Sequence, residues 1–211
     1  MVNFSRRDFL KHFGEYGLGA FLAFQFGCGL SQWLRGKKRG MLLFGTRYGA
    51  TKDTALWIAK GLGTKIDLFD VEHFDGNFLK QNYDYFIFGS GIWIGGIHPK
   101  FQEILTANKE TIKDKVLATF IVCGTTLEDK NGKERIEGYL DQINNFLQTP
   151  PKMTRHFGGR LVVEQLTPDD KAALTSFYKK FFNKDLEGWD RTDPKLVTEF
   201  GKQIMNKVEI L

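Results

Sequence analysis

Residues 41–51 read MLLFGTRYGAT, and this stretch indicates the fold class. An apolar run ends at a glycine and is followed by small and hydroxyl-bearing residues. The run predicts a short buried strand at 40–46. Apolar residues at helical spacing then predict a helix over 51–62. A strand, a tight loop and a helix in this order predict the first unit of an α/β domain.

The same alternation continues to the end of the chain. Apolar and alternating runs predict four further strands, at 65–71, 83–89, 116–123 and 158–163. Helical patterns occupy 98–107, 135–147, 168–182 and 194–208, with a polar connection at 183–193. This order predicts a three-layer α/β sandwich, with helices on both faces of a five-stranded parallel sheet in the order 2-1-3-4-5. We place the domain at 40–211, after a leader at 1–39.

The charge distribution and the cysteine spacing argue against nucleic acid and metal ions as ligands. The chain of 211 residues carries a net charge of +5. Residues 1–40 hold seven basic and two acidic residues, whereas 41–211 hold 23 of each. Because residues 41–211 carry no net charge, an extended basic face for binding nucleic acid is excluded. The two cysteines, Cys28 and Cys123, match no metal-binding spacing, so we predict no metal site, and Cys123 is predicted to be a small buried hydrophobe.

The leader contains SRRDFLK at 5–11. This resembles the twin-arginine export signal, Ser/Thr-Arg-Arg-x-Phe-Leu-Lys, and a mildly apolar stretch at 17–30 follows it. The resemblance implies export by the twin-arginine route, to a periplasmic or membrane-anchored location. The alternative is a basic amphipathic anchor that keeps the protein on the cytoplasmic membrane face. The basic residues at 37–39 support such an anchor, because they attract anionic lipid.

The loop after the first strand has the composition of an anion site. Its small residues let the backbone approach a ligand closely, and the helix that follows directs its first amides at an anion. Thr46 and Thr51 would add hydroxyl donors. The alternative is a plain turn with Thr51 near the helix start. The chain has neither the Gly-Lys-Ser/Thr of a P-loop nor the Gly-x-Gly-x-x-Gly of dinucleotide-binding folds.

Two later loops are predicted to border the same crevice. The loop after the third strand reads GSGIWIGGIHP at 89–99. Its glycines would let amides contact a flat polar edge, and Trp93 would stack on a ring. The alternative is a hydrophobic loop folded onto the core. We interpret His98 as a helix-start residue and not as a catalytic base. The loop after the fourth strand, CGTTL at 123–127, completes the set.

Together these loops resemble those of flavodoxin-like FMN proteins. The first has the form Thr-Arg-x-Gly-x-Thr, with Tyr48 where short flavodoxins carry a hydroxyl residue. The closer likeness is to the menaquinone-dependent protoporphyrinogen oxidase group, and it runs from Met41 to the C-terminus. That likeness is carried by Gly89, Ser90, Gly91, Ile92, Gly95, His98 and Phe101-Gln102-Glu103. The polar connection with Trp189 resembles a late insertion of that group.

The resemblance implies FMN, held without a covalent bond. Its phosphate would lie at Thr46, Arg47, Tyr48, Gly49, Ala50 and Thr51. The ring would lie along Ser90, Gly91, Ile92, Trp93, Ile94, Gly95 and Gly96. Gly124, Thr125 and Thr126 would close the far side. No catalytic acid or base stands out, and the task of Arg47 stays open.

Three functions remain open from the sequence. The first is an FMN-dependent oxidoreductase at a membrane surface that passes electrons from a reduced small molecule, such as a porphyrinogen, to a quinone. The second is a flavodoxin-like electron carrier for a redox-protein partner. The third is a binding protein that has lost the flavin. The neutral body favours the enzyme over the carrier, because small flavodoxins are usually strongly acidic.

Overall fold

The computed structural model describes residues 38–211, the side chains of 78 and 80 excepted. The predicted leader motif at 5–11 and the apolar stretch at 17–30 lie outside the described residues. Five parallel strands form one sheet in the order β2-β1-β3-β4-β5, which confirms the predicted strand order. The strands are β1 Gly40–Gly45, β2 Ile66–Asp70, β3 Tyr85–Gly91, β4 Val116–Cys123 and β5 Met153–Gly158.

Helices cover both faces of this sheet. They are α1 Ala50–Leu62, α2 Pro99–Ala107, the short α3 Lys109–Ile112, α4 Gly132–Asn144, α5 Pro168–Phe182 and α6 Pro194–Val208. Short 3-10 turns lie at Val71–His73, Gly76–Lys80 and Val163–Gln165. Two further strands, β6 Arg160–Leu161 and β7 Trp189–Asp190, form a separate antiparallel pair. Within residues 38–211 the helices are too short or too polar for a membrane span.

The core consists of two apolar layers, one on each face of the sheet. One layer joins the sheet to α2 and α4 through residues such as Phe101, Ile136 and Ile143. The other joins it to α1 and α6 through residues such as Ile58 and Phe200. All eight residues of β4 are buried, as expected for a parallel strand covered on both faces. The carboxyl ends of β1, β3 and β4 therefore meet at one edge, where the three predicted loops lie.

The predicted fifth strand was misplaced. It was assigned to 158–163, whereas β5 spans Met153–Gly158 and pairs with β4 from Ala118↔Met153 to Cys123↔Gly158. The strand lies at the sheet edge and carries Arg155 and His156, so it lacks a continuous apolar run. The apolar residues that follow belong in part to β6. The helix predicted at 135–147 begins and ends three residues earlier, at Gly132–Asn144.

Candidate functional site

The loop between β1 and α1 closes on itself through a side chain. The Thr46 hydroxyl accepts a hydrogen bond from the Gly49 amide at 3.1 Å. Gly49 is the N-cap of α1 and has φ of 85°, a left-handed conformation that favours glycine. Thr51 is the second residue of α1 and is buried, so it lies near the helix start while Gly49 is the cap. The loop thus presents the first amides of α1 to the crevice.

Arg47 and Tyr48 are held by an acidic residue from a distant helix. The Arg47 guanidinium donates two hydrogen bonds to Asp170 of α5, Nε–Oδ2 at 2.7 Å and Nη2–Oδ1 at 2.5 Å. The Tyr48 hydroxyl donates to the same carboxylate, and it accepts the Thr167 amide at 3.2 Å. Asp170 is 7% exposed. We call this group of Arg47, Tyr48 and Asp170 the α5 latch.

The contacts within the latch shift the pKa values of Asp170 and Arg47. The hydrogen bond from Arg47, followed by that from Tyr48, lowers the pKa of Asp170 below its ordinary value. Bonding to Asp170 in turn raises the pKa of Arg47, against the effect of burial. Both shifts stabilise the charged forms, so the pair is ionised at neutral pH. Through these bonds Arg47 holds α5 against the first loop, and its place at a phosphate stays a prediction.

The loop after β3 turns tightly above the crevice. Trp93 and Gly96 exchange backbone hydrogen bonds of 2.9 and 3.1 Å across a two-residue turn. Ile94 has φ of 47° and Gly95 has φ of 87° in this turn. The side chain of Gln142 in α4 fixes the base of the turn. Its Nε2 donates to the Gly95 carbonyl at 2.8 Å, and its Oε1 accepts a hydrogen bond from the Ile97 amide at 3.0 Å. No sequence signal had marked Gln142.

Trp93 joins the first and second loops. Its ring lies 5.8 Å from the Tyr48 ring, and the Arg47 guanidinium sits 4.7 Å above it. A cation over the face of an indole is attracted by the ring quadrupole. Trp93 therefore packs on the latch at the side of the crevice.

Ser90 and His98 hold the ends of the second loop in place. Ser90 is fully buried, and its hydroxyl accepts the His98 amide at 2.9 Å and donates to the Gly91 carbonyl at 2.9 Å. His98 is the N-cap residue of α2, which confirms the helix-start prediction, and its Nε2 lies 3.1 Å from Glu72.

The loop after β4 is covered by the segment that contains β7. A Cβ atom on Gly124 would come within 2.6 Å of the Trp189 ring, so only glycine permits this approach. Arg191 donates to the Gly124 carbonyl and lies 5.1 Å from the Trp189 ring centroid. The Trp189 indole donates to the Tyr178 hydroxyl at 2.8 Å. Cys123 is buried, as predicted, and burial raises the pKa of its thiol.

A cavity of about 570 Å³ lies where these loops meet. Thirteen of the sixteen predicted site residues line it; Gly49, Ser90 and Thr126 do not. The Thr126 amide instead bonds the Asp129 carboxylate at 2.8 Å. The size falls in the usual range for small-molecule sites.

Much of the remaining cavity wall was missed from the sequence. It comes from α5 and from the β6–β7 pair, which supply Arg160, Leu161, Leu174, Phe177, Tyr178, Phe182, Trp189 and Arg191. We call Leu174, Phe177, Tyr178 and Phe182 the α5 wall. The available signal was the aromatic run FYKKFF at 177–182. Its helical pattern indicated the helix, but not the cavity that one side of the helix faces.

The fold is similar to that of a solved flavodiiron core. The metal-soaked Flv1 flavodiiron core from Synechocystis sp. PCC6803 is 16% identical with a TM-score of 0.54, over 89% of this chain and 40% of that one. A flavodoxin, WrbA-like protein from Agrobacterium tumefaciens is 15% identical with a TM-score of 0.48, over 82% and 98%. This chain thus spans about two fifths of the Flv1 core. At such identities the likeness shows the fold alone.

Comparisons by sequence are more decisive. No curated protein matches the chain. A sequence model of the flavodoxin domain matches residues 41–184, which is more than half of the chain, and the protein therefore belongs to the flavodoxin domain family.

Proposed function

We propose that this protein is an FMN-dependent oxidoreductase that oxidises a reduced, largely apolar small molecule inside its own cavity. The α5 wall carries this proposal. A carrier that serves protein partners needs only an accessible flavin edge, whereas four apolar or aromatic residues of α5 face the crevice here. Such a wall suits a flat apolar molecule.

FMN is the cofactor of flavodoxin domains, and the residues present fit it. The first loop combines a left-handed glycine with the amides at the start of α1, which is a cradle for a phosphate. A Cβ on Gly91 would lie 2.7 Å from the Thr51 hydroxyl, so the floor between the first two loops stays open only without a side chain. Residues 91–96 and 124–125 would flank the ring.

When bound, FMN supplies reversible electron transfer. The side chains of this protein supply position and exclusion of water. The latch holds α5 over the first loop through the buried Asp170. The α5 wall and Trp189 keep the crevice apolar, which strengthens the hydrogen bonds formed inside it.

The finer proposal concerns the substrates. The resemblance noted in the sequence supports a porphyrinogen as the electron donor and a quinone as the acceptor. A quinone ring is flat and largely apolar, and a porphyrinogen is built of four apolar pyrrole rings, so both suit the aromatic α5 wall. The second candidate is an electron carrier for a redox-protein partner. It is favoured by the flavodoxin domain itself and by Phe181 of α5, an apolar residue that is 61% exposed.

The test begins with the purified full-length protein. It is expected to be yellow, or to take up added FMN, and then to oxidise protoporphyrinogen with a quinone as acceptor. Phe177→Ala is expected to raise KM for the substrate and leave FMN affinity unchanged. Phe181→Ala on the same helix is the matched control, because Phe181 does not line the cavity. A colourless protein that does not bind added FMN would exclude both redox functions. FMN binding without turnover of protoporphyrinogen would favour the electron carrier.

For the location of the protein, we propose export by the twin-arginine route. The SRRDFLK motif supports it. Arg6→Lys combined with Arg7→Lys is expected to retain the protein in the cytoplasm, as measured by cell fractionation. Unchanged export of the double variant would contradict the proposal and favour the membrane-face anchor.

A further inference from the structure

Arg160 lies beside the first loop although it belongs to the far end of the chain. It begins β6 directly after Gly159, whose amide donates to the Cys123 carbonyl at 3.1 Å and whose carbonyl accepts the Arg191 amide at 2.9 Å. The backbone at Arg160 is therefore fixed between β4 and β7. The side chain lines the cavity, and its Nη2 lies 3.8 Å from the position of a Cβ on Gly49.

Arg160 is held in this place by an ion pair. Its Nη1 lies 2.6 Å from Oδ2 of Asp53, and the two side chains are 29% and 32% exposed. Asp53 is the acidic residue in the first turn of α1. A carboxylate in the first turn interacts favourably with the positive end of the helix dipole. The same negative charge would repel a phosphate held by the amides of that turn.

We propose that Arg160 binds the phosphate of the cofactor and makes the site select FMN over riboflavin. This inference rests on the proposed FMN function. A flavin phosphate carries about −1.5 to −2 charges at pH 7. A guanidinium has five N–H donors, so Arg160 can keep its bond to Asp53 and still donate to a phosphate beside Gly49. Asp53 orients the guanidinium, and Arg160 offsets the repulsion from Asp53.

The other arginine at the first loop, Arg47, also lines the cavity, but its contacts turn it toward α5. Arg47 places Nε and Nη2 on Asp170 and its guanidinium on Trp93. Lys52 is also near the start of α1, but it is exposed and does not line the cavity. Lys52 therefore gives a matched control: a nearby positive charge without access to the crevice.

The experiment compares FMN with riboflavin, which differ only in the phosphate. Each is titrated into the full-length protein and followed by quenching of flavin fluorescence, with Arg160→Met, Arg160→Lys and Lys52→Met as variants. Arg160→Met is expected to weaken FMN binding about tenfold or more, as for a lost bond between charged groups, and to leave riboflavin binding unchanged. Arg160→Lys is expected to be intermediate. Lys52→Met is expected to behave as the unmodified protein.

Asp53→Asn separates phosphate binding from a merely structural role. It breaks the ion pair but removes a charge that repels phosphate, so the preference for FMN is expected to persist. If the pair were only structural, Asp53→Asn and Arg160→Met would weaken both flavins alike. That result, or an unchanged preference in Arg160→Met, would overturn this inference and leave the proposed function intact. Failure of the unmodified protein to bind FMN would overturn both.

Discussion

Ile94 adopts a backbone conformation that β-branched residues avoid. Its φ is 47°, which costs about 1–3 kcal/mol, so the conformation persists only where the surroundings enforce it. Here the paired hydrogen bonds between Trp93 and Gly96 enforce it. The sequence indicated a glycine-containing loop whose amides would contact a ligand, because Gly91, Gly95 and Gly96 surround this position. It gave no sign that an isoleucine would take the first left-handed place in the turn.

Replacing Ile94 with asparagine is expected to stabilise the protein. Asparagine tolerates the left-handed region, so Ile94→Asn should raise the free energy of unfolding by about 1 kcal/mol in urea titrations. Leu127→Asn is the control, since Leu127 is similarly exposed but has a negative φ. A loss of stability in Ile94→Asn, or an equal gain in the control, would contradict the strain.

The latch gives a second prediction at the scale of one residue. Asp170→Asn removes the charge that Arg47 and Tyr48 both contact, so it is expected to lower stability by about 1–2 kcal/mol. Fluorescence of Trp93 and Trp189 in chemical unfolding measures the effect. Asp169→Asn is the matched control in the same helical turn, and it should change little. Equal effects in the two variants would show that α5 is held by other contacts.

The edge strand β5 shows what governs an element. Its sequence, MTRHFG, carries too few apolar residues for a strand signal of its own. Phe157 fixes it instead, because its ring lies 6.2 Å from Phe120 of β4 and 5.5 Å from Phe200 of α6. Strands β1, β3 and β4 were found from the sequence because burial on both faces makes them apolar, and β2 because apolar and polar residues alternate along it. β5 was misplaced because tertiary packing, and not local pattern, defines it.

Phe200→Ala tests this account of the element. Phe200 is 2% exposed, and its removal should cost about 3–5 kcal/mol in the free energy of unfolding. Amide hydrogen exchange in β5 is expected to increase more than in β1. Leu196→Ala on the same helix is the control, because Leu196 is 41% exposed. A small loss in Phe200→Ala, with β5 still protected, would show that backbone pairing alone holds the strand.

For the whole molecule, the titrating groups predict a window of maximal stability. Burial lowers the pKa of His156 below its ordinary 6.5, so its contribution is present above that value and is lost as pH falls. Three carboxylates add to the acid side with lowered pKa values, Asp67 through Tyr83, Asp170 through Arg47 and Asp190 through the Thr192 amide. Their contribution is lost as pH falls below about 4.

The alkaline side is set by two tyrosines. Burial raises the pKa of both Tyr83 and Tyr85 from 10.0 to about 12. Their contribution is therefore complete below pH 10.0 and is lost as pH rises toward 12. Thermal unfolding across pH should show a plateau between the two limbs. Tyr85→Phe should weaken the alkaline loss, since the Tyr85 hydroxyl finds no hydrogen-bond partner among residues 38–211. An alkaline limb unchanged by Tyr85→Phe would contradict the assignment to Tyr85.

Much of the molecule could be predicted from local sequence, and the cavity wall could not. The strand order, and the three loops that supply thirteen of the cavity-lining residues, follow from patterns of a few neighbouring residues. Arg160, Gln142 and the α5 wall come to the crevice only through long-range packing. Arg160 and Gln142 are residue types common at protein surfaces, and the apolar residues of α5 indicate a helix without indicating the cavity that it faces.

The latch also bears on when the site is assembled. Arg47 and Asp170 lie 123 positions apart in the chain, so this contact closes one of the longest loops in the domain. Contacts of large sequence separation carry a loop-closure cost and tend to form late in folding. During synthesis, the first loop emerges from the ribosome well before the helix that holds it. The order of translation thus delays completion of the flavin site until the last fifth of the chain has been made.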